Sequence, residues 1–207
     1  MKSLSTLMKL DGRVALITGG AGHVGRAMAE ALAELGAGIV LLDVDQQAAV
    51  QAAERLRAAY GVPTMAIGVD LTDDAAVRAV PDLVVKELGG LDILVNNAAL
   101  VGTSALGGWA VPFDQQTVET WRLAMEVHLT APFVLTQACR ATLTASGHGS
   151  VINIGSIYGI VAPDMSLYAG TDLGNPAAYA ASKGGLLQLT RWLTTVLAPK
   201  IRVNAIT

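Results

Sequence analysis

The chain has 207 residues, of which 52% are hydrophobic and 15% are charged, and this suits one domain with a large buried core. Its formal net charge of −3 excludes a strongly basic surface, so we expect no nucleic-acid partner. Its apolar runs are far shorter than the roughly 18 residues of a membrane span and its N-terminus has no signal-like apolar core, so we expect a cytoplasmic protein without a membrane partner.

Short apolar segments alternate along the chain with longer stretches of helical character. The apolar segments are nearly continuous in hydrophobicity, which predicts strands buried on both faces of a parallel sheet. These predicted strands are 13–18, 38–43, 64–70, 92–97, 150–156 and 201–206. The predicted helices are 24–35, 46–60, 73–88, 117–145 and 178–198. The alternation predicts one domain over residues 1–207, a doubly wound α/β sheet between two helical layers.

Cysteine and histidine are both scarce. Cys139 is the single cysteine, which excludes an internal disulfide and fits a reducing compartment. The three histidines, His23, His128 and His148, are widely separated and form no ligand-like cluster. We therefore predict no metal site.

A glycine-rich turn separates the first strand from the first long helix. In the segment TGGAGHVG at 18–25, Gly19, Gly22 and Gly25 lie three residues apart. Such a turn lets the backbone approach a pyrophosphate closely at a helix N-terminus, where free N–H groups favour an anion. A strand, this turn and a helix in succession predict a dinucleotide site.

Carboxylates end the second and third predicted strands. Asp43 can accept hydrogen bonds from both hydroxyls of the adenosine ribose and would repel a 2′-phosphate. The loop offers His23 rather than an arginine, so we expect NAD(H) to be preferred over NADP(H). Asp70 can meet the adenine amino group. Alternatively these residues cap helices, as Asp45 could do equally well.

A tyrosine and a lysine lie four residues apart, so they project from one side of a helix. An ammonium beside a phenol stabilises the phenolate, which suits a phenol that exchanges a proton near neutral pH. The pair is Tyr179 and Lys183. In isolation the spacing favours the alternative, a half-exposed aromatic beside a solvated lysine.

With these motifs in place, the chain resembles the short-chain dehydrogenase/reductase family over nearly its full length. The matching segments are TGGAGHVG at 18–25, Asp70, NNAA at 96–99, Ser156, YAASK at 179–183 and RVNA at 202–205. The resemblance implies a Rossmann-type fold and hydride transfer between an alcohol or ketone and a nicotinamide. It also implies Tyr179 as general acid or base, Lys183 supporting it and bonding the nicotinamide ribose, and Ser156 holding the substrate oxygen. The implied cofactor contacts are Gly19, Gly22, His23, Val24, Gly25, Asp43, Asp70, Leu71, Asn97, Ala98, Tyr179 and Lys183.

Two residues depart from the family pattern inside its motifs. His23 stands where members of ordinary length have the middle glycine, a spacing more usual in the longer, sugar-nucleotide-modifying branch. His128 stands where the family usually has a catalytic asparagine that anchors a water in the proton relay behind the lysine. Either a neutral imidazole, which can donate and accept, takes over as a catalytic residue, or His128 is a packed helix residue.

Two loops at the carboxyl edge of the sheet are long for the family, namely 100–116 and 157–177. Ser156 and Tyr179 are therefore 23 residues apart. The loops mix aromatic and hydrogen-bonding side chains, which suits a wall around a polyhydroxylated substrate such as a sugar, although ordinary surface or subunit contacts would use the same residues. These side chains are Trp109, Gln115, Asp164, Tyr168, Asp172 and Asn175.

We therefore predict an NAD(H)-dependent oxidoreductase interconverting a secondary alcohol and a ketone. The alternatives are an NADPH-dependent 3-oxoacyl carrier-protein reductase, which Asp43 disfavours, and a non-catalytic nucleotide-binding scaffold. The resemblance implies a homodimer or homotetramer built through helices 117–145 and 178–198. It also implies a lid and a last strand beyond RVNAIT at 202–207, so we expect the chain to lack both and to be part of a longer protein.

Overall fold

A computed structural model describes residues 4–100 and 106–207. Residues 101–105 of the predicted loop 100–116 lie outside the described residues. The strands are β1 (Val14–Thr18), β2 (Gly38–Asp43), β3 (Thr64–Gly68), β4 (Ile93–Asn96), β5 (Ser150–Ile154) and β6 (Arg202–Ile206). The helices are α1 (Leu4–Leu7), α2 (His23–Glu34), α3 (Gln46–Tyr60), α4 (Asp74–Leu88), α5 (Val118–Met125), α6 (Ala131–Ala145) and α7 (Ala177–Leu197).

The strands form one parallel sheet in the order β3-β2-β1-β4-β5-β6. The order reverses beside β1, which pairs with β2 on one side and with β4 on the other. In a doubly wound sheet, ligands bind at such a switch point, beyond the carboxyl ends of the strands. The predicted fold class is confirmed.

Side chains alternate between two cores because successive residues of a strand point to opposite faces. Ala15, Ile17 and Leu41 pack on one face against the alanine-rich helices α2 and α3. Leu16 and Leu42 pack on the other face against α4, α6 and α7. Within the described residues, no helix is long and apolar enough to cross a membrane.

Most predicted elements form, and most of the differences lie at their ends. The predicted strands 64–70 and 150–156 stop early, at Gly68 and Ile154, so Asp70 and Ser156 lie in the loops beyond the sheet. The sequence analysis missed α1, a single turn at Leu4–Leu7.

The predicted helix 117–145 forms as consecutive helical segments with an irregular turn in the middle. It consists of α5, a π-helical turn at Glu126–Thr130 and α6. A π-turn inserts one extra residue into the hydrogen-bond ladder and changes the direction of the side chains around it. The His128 side chain lies within this turn and is fully buried.

A buried chain of polar side chains connects the centre of the sheet to the helices. The Asn96 amide donates to Asn153 Oδ1 at 2.8 Å, and the Asn153 amide donates to Thr190 Oγ1 at 2.8 Å. Thr190 Oγ1 then donates to the carbonyl of Leu186 at 2.8 Å. Asn153 is 0% exposed, so its amide has no water to replace these partners.

We expect Asn153→Ala to lower the free energy of unfolding by about 2–4 kcal/mol, because it leaves a cavity and removes the partners of two buried polar groups. Chemical denaturation measures this, and Asn204→Ala, at an exposed position on β6, is the control and should change stability by less than about 0.5 kcal/mol. Equal effects of the two substitutions would contradict a stabilising role for the buried chain.

Candidate active site

The glycine turn after β1 packs too tightly for side chains at several of its glycines, of which Gly19 and Gly25 are pressed against backbone atoms. Gly19 has a φ of +62°, and a Cβ there would lie 2.9 Å from the Cα of Ala98. A Cβ on Gly25 would overlap the carbonyl oxygen of Gly19, because α2 begins directly against the turn. Both positions therefore require glycine, one for its conformation and both for the close approach.

Thr18 and Asn97 join the turn to the end of β4. Thr18 Oγ1 accepts the backbone N–H groups of Asn97 and Ala98 at 2.9 and 3.0 Å. The Asn97 side-chain amide donates to the carbonyls of Thr18 and Gly19 at 2.9 and 3.2 Å. The two strand ends on either side of the switch point are thereby held at a fixed spacing.

The N-terminus of α2 has no side chain capping it. Its N-cap is Gly22, whereas α3, α4 and α5 are capped by Asp45, Asp73 and Thr117. The first N–H groups of a helix lack intrahelical partners and carry its positive dipole end. A phosphate group at this end of α2 would meet both features.

The two strand-end carboxylates differ in what they bind within the protein. Asp43 accepts the backbone N–H of Ala21, in the glycine turn, at 2.9 Å, and that of Asp45 at 3.1 Å. Asp45 caps α3 by accepting from Ala48 at 2.9 Å, so Asp43 is free of that role. Asp70 accepts from the backbone and the hydroxyl of Thr72 at 2.9 and 2.8 Å.

A cavity of about 730 Å³ lies at the switch point. The residues in the first half of the chain that were predicted to contact the cofactor all line it. Its lining includes Gly19, Gly22, His23, Val24, Gly25, Asp43, Asp70, Leu71, Asn97 and Ala98. The four predicted catalytic residues are not among the described residues that line it. The volume of the cavity, the glycine turn, the uncapped N-terminus of α2 and the Asp43 carboxylate in the lining are features that fit an adenine dinucleotide.

Lys183 is a buried ammonium beside the end of β5. It is 2% exposed, and its Nζ donates to the carbonyl of Ile154 at 2.6 Å and lies 5.8 Å from the centre of the Tyr179 ring. Among the described residues, no second acceptor takes its two remaining N–H groups. Burial lowers the pKa of Lys183 to about 8 because desolvation disfavours the charged form.

Ser156 follows two residues after Ile154 and begins a 3₁₀ turn at Ile157–Gly159. Its Oγ accepts the N–H of Tyr158 at 3.2 Å, and in the described part of the chain its own proton has no acceptor. Gly159 packs against the backbone of Lys183 and Gly184, where a Cβ would lie 2.7 Å from the Lys183 carbonyl carbon. The loop carrying Ser156 thus contacts α7 at Lys183.

His128 connects the loop after β4 to α7. Its Nε2 accepts the backbone N–H of Leu100 at 2.7 Å, so the ring proton of the neutral imidazole is on Nδ1. Nδ1 then donates to Ser182 Oγ at 2.9 Å, and Ser182 Oγ donates to the carbonyl of Tyr179 at 3.0 Å. Burial, with a contribution from the charge of Lys183, lowers the pKa of His128 to about 3.

Trp109 does not form an exposed wall, and that expectation is wrong. It is 2% exposed and packs with Ala124 and Ala178 in a small separate core to which Tyr179 also belongs. The His128 ring meets Trp109 and Tyr179 edge to face, with ring centres 6.1 and 5.7 Å apart. Trp109 lies inside because its large apolar surface is buried against the side chains of this small core.

Three contributors to the site were missed by the sequence analysis. They are the carbonyl of Ile154, the hydroxyl of Thr18 and the hydroxyl of Ser182. A backbone carbonyl cannot be singled out from the sequence, because every residue has one. Ser182 lies three residues after Tyr179, and only its partner, at the distant His128, distinguishes it from any other helical serine.

Comparison with known proteins places the chain in a family. The profile described as short chain dehydrogenase matches residues 13–207. A rhamnolipid-biosynthesis 3-oxoacyl acyl-carrier-protein reductase from Pseudomonas aeruginosa is 36% identical over 202 residues, covering 95% of this chain and 72% of that protein.

Two solved structures are similar over nearly all of this chain. An NAD⁺-bound xylitol dehydrogenase has a TM-score of 0.83 and 32% identity, covering 96% of this chain and 70% of that one. An L-sorbose reductase from Gluconobacter frateurii, complexed with NADPH and L-sorbose, has a TM-score of 0.82 and 30% identity, covering 97% and 70%. The chain therefore belongs to the short-chain dehydrogenase/reductase family, whose members are NAD(P)(H)-binding oxidoreductases acting on CH–OH groups.

Proposed function

We propose that the chain is an NAD(H)-dependent oxidoreductase that interconverts a secondary alcohol and a ketone, with the whole of residues 1–207 acting as one dinucleotide-binding and catalytic domain in the cytoplasm. The observation that carries this proposal is the cavity at the switch point, lined by ten residues predicted to bind the cofactor. When bound there, the nicotinamide cofactor supplies or accepts the hydride.

The proton that accompanies the hydride is handled by Tyr179, Lys183 and Ser156. The phenol of Tyr179 exchanges a proton with the substrate oxygen as general acid or base. After Lys183 Nζ has bound the Ile154 carbonyl, two of its N–H groups are left. In the proposal, one donates to the ribose and the other to the tyrosine oxygen. The unused proton of Ser156 Oγ holds the substrate oxygen by hydrogen bonding.

His128 acts in this proposal as a neutral positioning residue. Both of its nitrogens have protein partners, and taking up a second proton would break the bond to the Leu100 N–H. Its low pKa supports the same view, because a relay group would titrate close to the working pH. The ring instead keeps the loop after β4 and the first turn of α7 together.

The preference for NAD(H) rests on the charges around the ribose position. Asp43 and Asp70 line the cavity, and no arginine or lysine is among its described lining residues. The nearest cation of the loop, Arg26, contacts the His23 ring at 3.3 Å, but it does not line the cavity. A 2′-phosphate would therefore approach a carboxylate without a compensating cation.

A polyhydroxylated substrate is favoured by the similarity to a xylitol dehydrogenase and an L-sorbose reductase. A 3-oxoacyl thioester is the second candidate, because the 36% identical relative is named for that reaction. NADH-linked assays with polyols and ketoses against acetoacetyl thioesters distinguish the two. Activity with neither class, together with cofactor binding, would favour a nucleotide-binding scaffold.

Association through α5, α6 and α7 into a homodimer or homotetramer is part of the proposal. These helices expose large apolar side chains that a second copy would cover, among them Trp121, Phe133 and Trp192, which are 40%, 37% and 53% exposed.

Tyr179→Phe is expected to lower turnover by about 10²- to 10⁴-fold, because it removes the group that exchanges the proton. The cofactor dissociation constant, measured by NADH fluorescence, should stay within about threefold, since the aromatic ring that packs in the small core is retained. Tyr60→Phe, on α3 outside the site, is the matched control with unchanged turnover. Undiminished turnover in Tyr179→Phe would overturn the proposed function.

Asp43→Asn is expected to shift the ratio of NADPH to NADH affinity toward NADPH by about tenfold or more, because it removes a like charge beside the 2′ position. Fluorescence titration with both cofactors measures the ratio. Asp45→Asn should leave it unchanged, since Asp45 caps α3 and asparagine is an equally good cap. The same shift in both variants would show a general field effect rather than a contact at Asp43.

Lys183→Met is expected to abolish turnover and to raise stability at pH 7. Burial of the charged lysine costs roughly 3 kcal/mol of folding free energy, which corresponds to the difference between a pKa of about 8 and the ordinary 10.5. The stability gained by the variant is smaller by about 1 kcal/mol, because the Ile154 carbonyl loses its partner. Between pH 8 and 10.5 the unfolded lysine holds a proton that the folded one has lost, so wild-type stability rises there and the advantage of the variant shrinks.

Denaturation of both proteins from pH 7 to 10.5 tests this expectation. Lys86→Met, at an exposed position on α4, provides the control and should show no such pH trend in its difference from wild type. A difference for Lys183→Met that stays constant across the range would contradict burial of the Lys183 charge.

A further inference from the structure

The side-chain amide of Gln116 joins three backbone groups from two separate loops. Its Nε2 donates to the carbonyls of Val111 and Asn175 at 3.2 and 3.0 Å. Its Oε1 accepts the backbone N–H of Ala177 at 2.9 Å. One side chain therefore links the loop before α5 to the first residue of α7, 61 positions away in sequence.

The partners determine which way this amide faces. Two of them are carbonyls, which only accept, and the third is an N–H, which only donates. A rotated amide would set its oxygen against two carbonyl oxygens and its NH₂ against an N–H group, and would lose all three bonds. The contact is therefore specific for glutamine and is not satisfied by a carboxylate.

The N-terminus of α7 depends on this amide for its cap. The N-cap residue is Pro176, whose side chain makes no capping hydrogen bond. Ala177 carries the first unpaired N–H of the helix, and Tyr179 lies two residues further along the same turn, its own N–H donating to the Pro176 carbonyl at 3.0 Å. A movement of this turn moves the base of the Tyr179 side chain.

The two loops are joined at a second point beside the amide. The N–H of Gly174 donates to the carbonyl of Ala110 at 3.2 Å. A Cβ on Gly174 would overlap the carbonyl of Val111, so the two backbones are in direct contact there. The neighbouring Trp109 packs in the same small core as the Tyr179 ring. The loop thus holds both the backbone and the ring of Tyr179.

We propose that Gln116 is a positioning residue for catalysis, which fixes the first turn of α7 and thereby the place of the Tyr179 hydroxyl relative to Ser156 and Lys183. This inference rests on the proposed function, because it assumes that Tyr179 exchanges the proton. Gln116 itself is not among the described residues that line the cofactor cavity, so its loss is expected to act on the chemical step rather than on cofactor binding.

The first experiment replaces the amide by an apolar side chain of similar size. Gln116→Met is expected to lower kcat about 10- to 100-fold, the effect of a misplacement of about 1 Å, while the NADH dissociation constant changes less than about twofold. Gln51→Met makes the same replacement at an exposed position of α3, outside the proposed subunit contact, and should keep wild-type kcat.

The second experiment gives a signature that loosening of the loop alone would not produce. Gln116→Glu keeps the acceptor for Ala177, but when ionised it faces two carbonyl oxygens, and protonation restores one donor. Its kcat relative to wild type is expected to rise as pH falls from about 8 to about 5, whereas the ratio for Gln116→Met stays flat.

The outcomes separate this inference from the proposed function. A Gln116→Met variant with kcat within twofold of wild type, beside an inactive Tyr179→Phe, overturns the positioning role and leaves the function standing. An active Tyr179→Phe overturns the function itself. Should Gln116→Met fail to fold, the pH ratio of Gln116→Glu decides, and a flat ratio overturns the inference.

Discussion

The structure of the site depends on one buried charge, the ammonium of Lys183. An ammonium that is 2% exposed is costly to bury, and it is held by the Ile154 carbonyl at the end of β5. Ile154 is the last residue of β5, and Ser156 falls in the loop immediately beyond it. The buried ammonium lies 5.8 Å from the centre of the Tyr179 ring. In the proposed function, the stability lost by burying this charge places a cation beside the phenol that exchanges the proton.

The helix N-termini around the site show a consistent division of roles. Asp45 and Asp73 cap α3 and α4 from within their own segments, so those helix ends need no ligand. The distant Gln116 caps α7, which ties the helix carrying the proposed acid and base to a loop. By contrast, α2 has Gly22 at its N-cap, lacks a side-chain cap and opens into the cavity. The uncapped end is the one at which an anion would be stabilised.

Local patterns made the fold predictable, and they also picked out ten residues that line the cavity at the switch point. The glycine spacing is visible in the sequence because it describes a single turn, and Asp43 is visible because hydrophobicity marks the end of a strand. The role of His128 was left open by the sequence, because its partners at Leu100 and Ser182 are distant in the chain and a π-turn orients the ring. Trp109 was misread because a tryptophan in a glycine-rich loop looks exposed until the small core that receives it is known.

The most direct test of this account is the titration of Lys183 itself in the free enzyme. In protein labelled with ¹³C at lysine, the Lys183 signal is identified by its absence in Lys183→Met and followed by NMR against pH. The account predicts a pKa of about 8, set by burial of the ammonium against the Ile154 carbonyl. A midpoint near 10.5, the ordinary value for a solvated lysine, would contradict it.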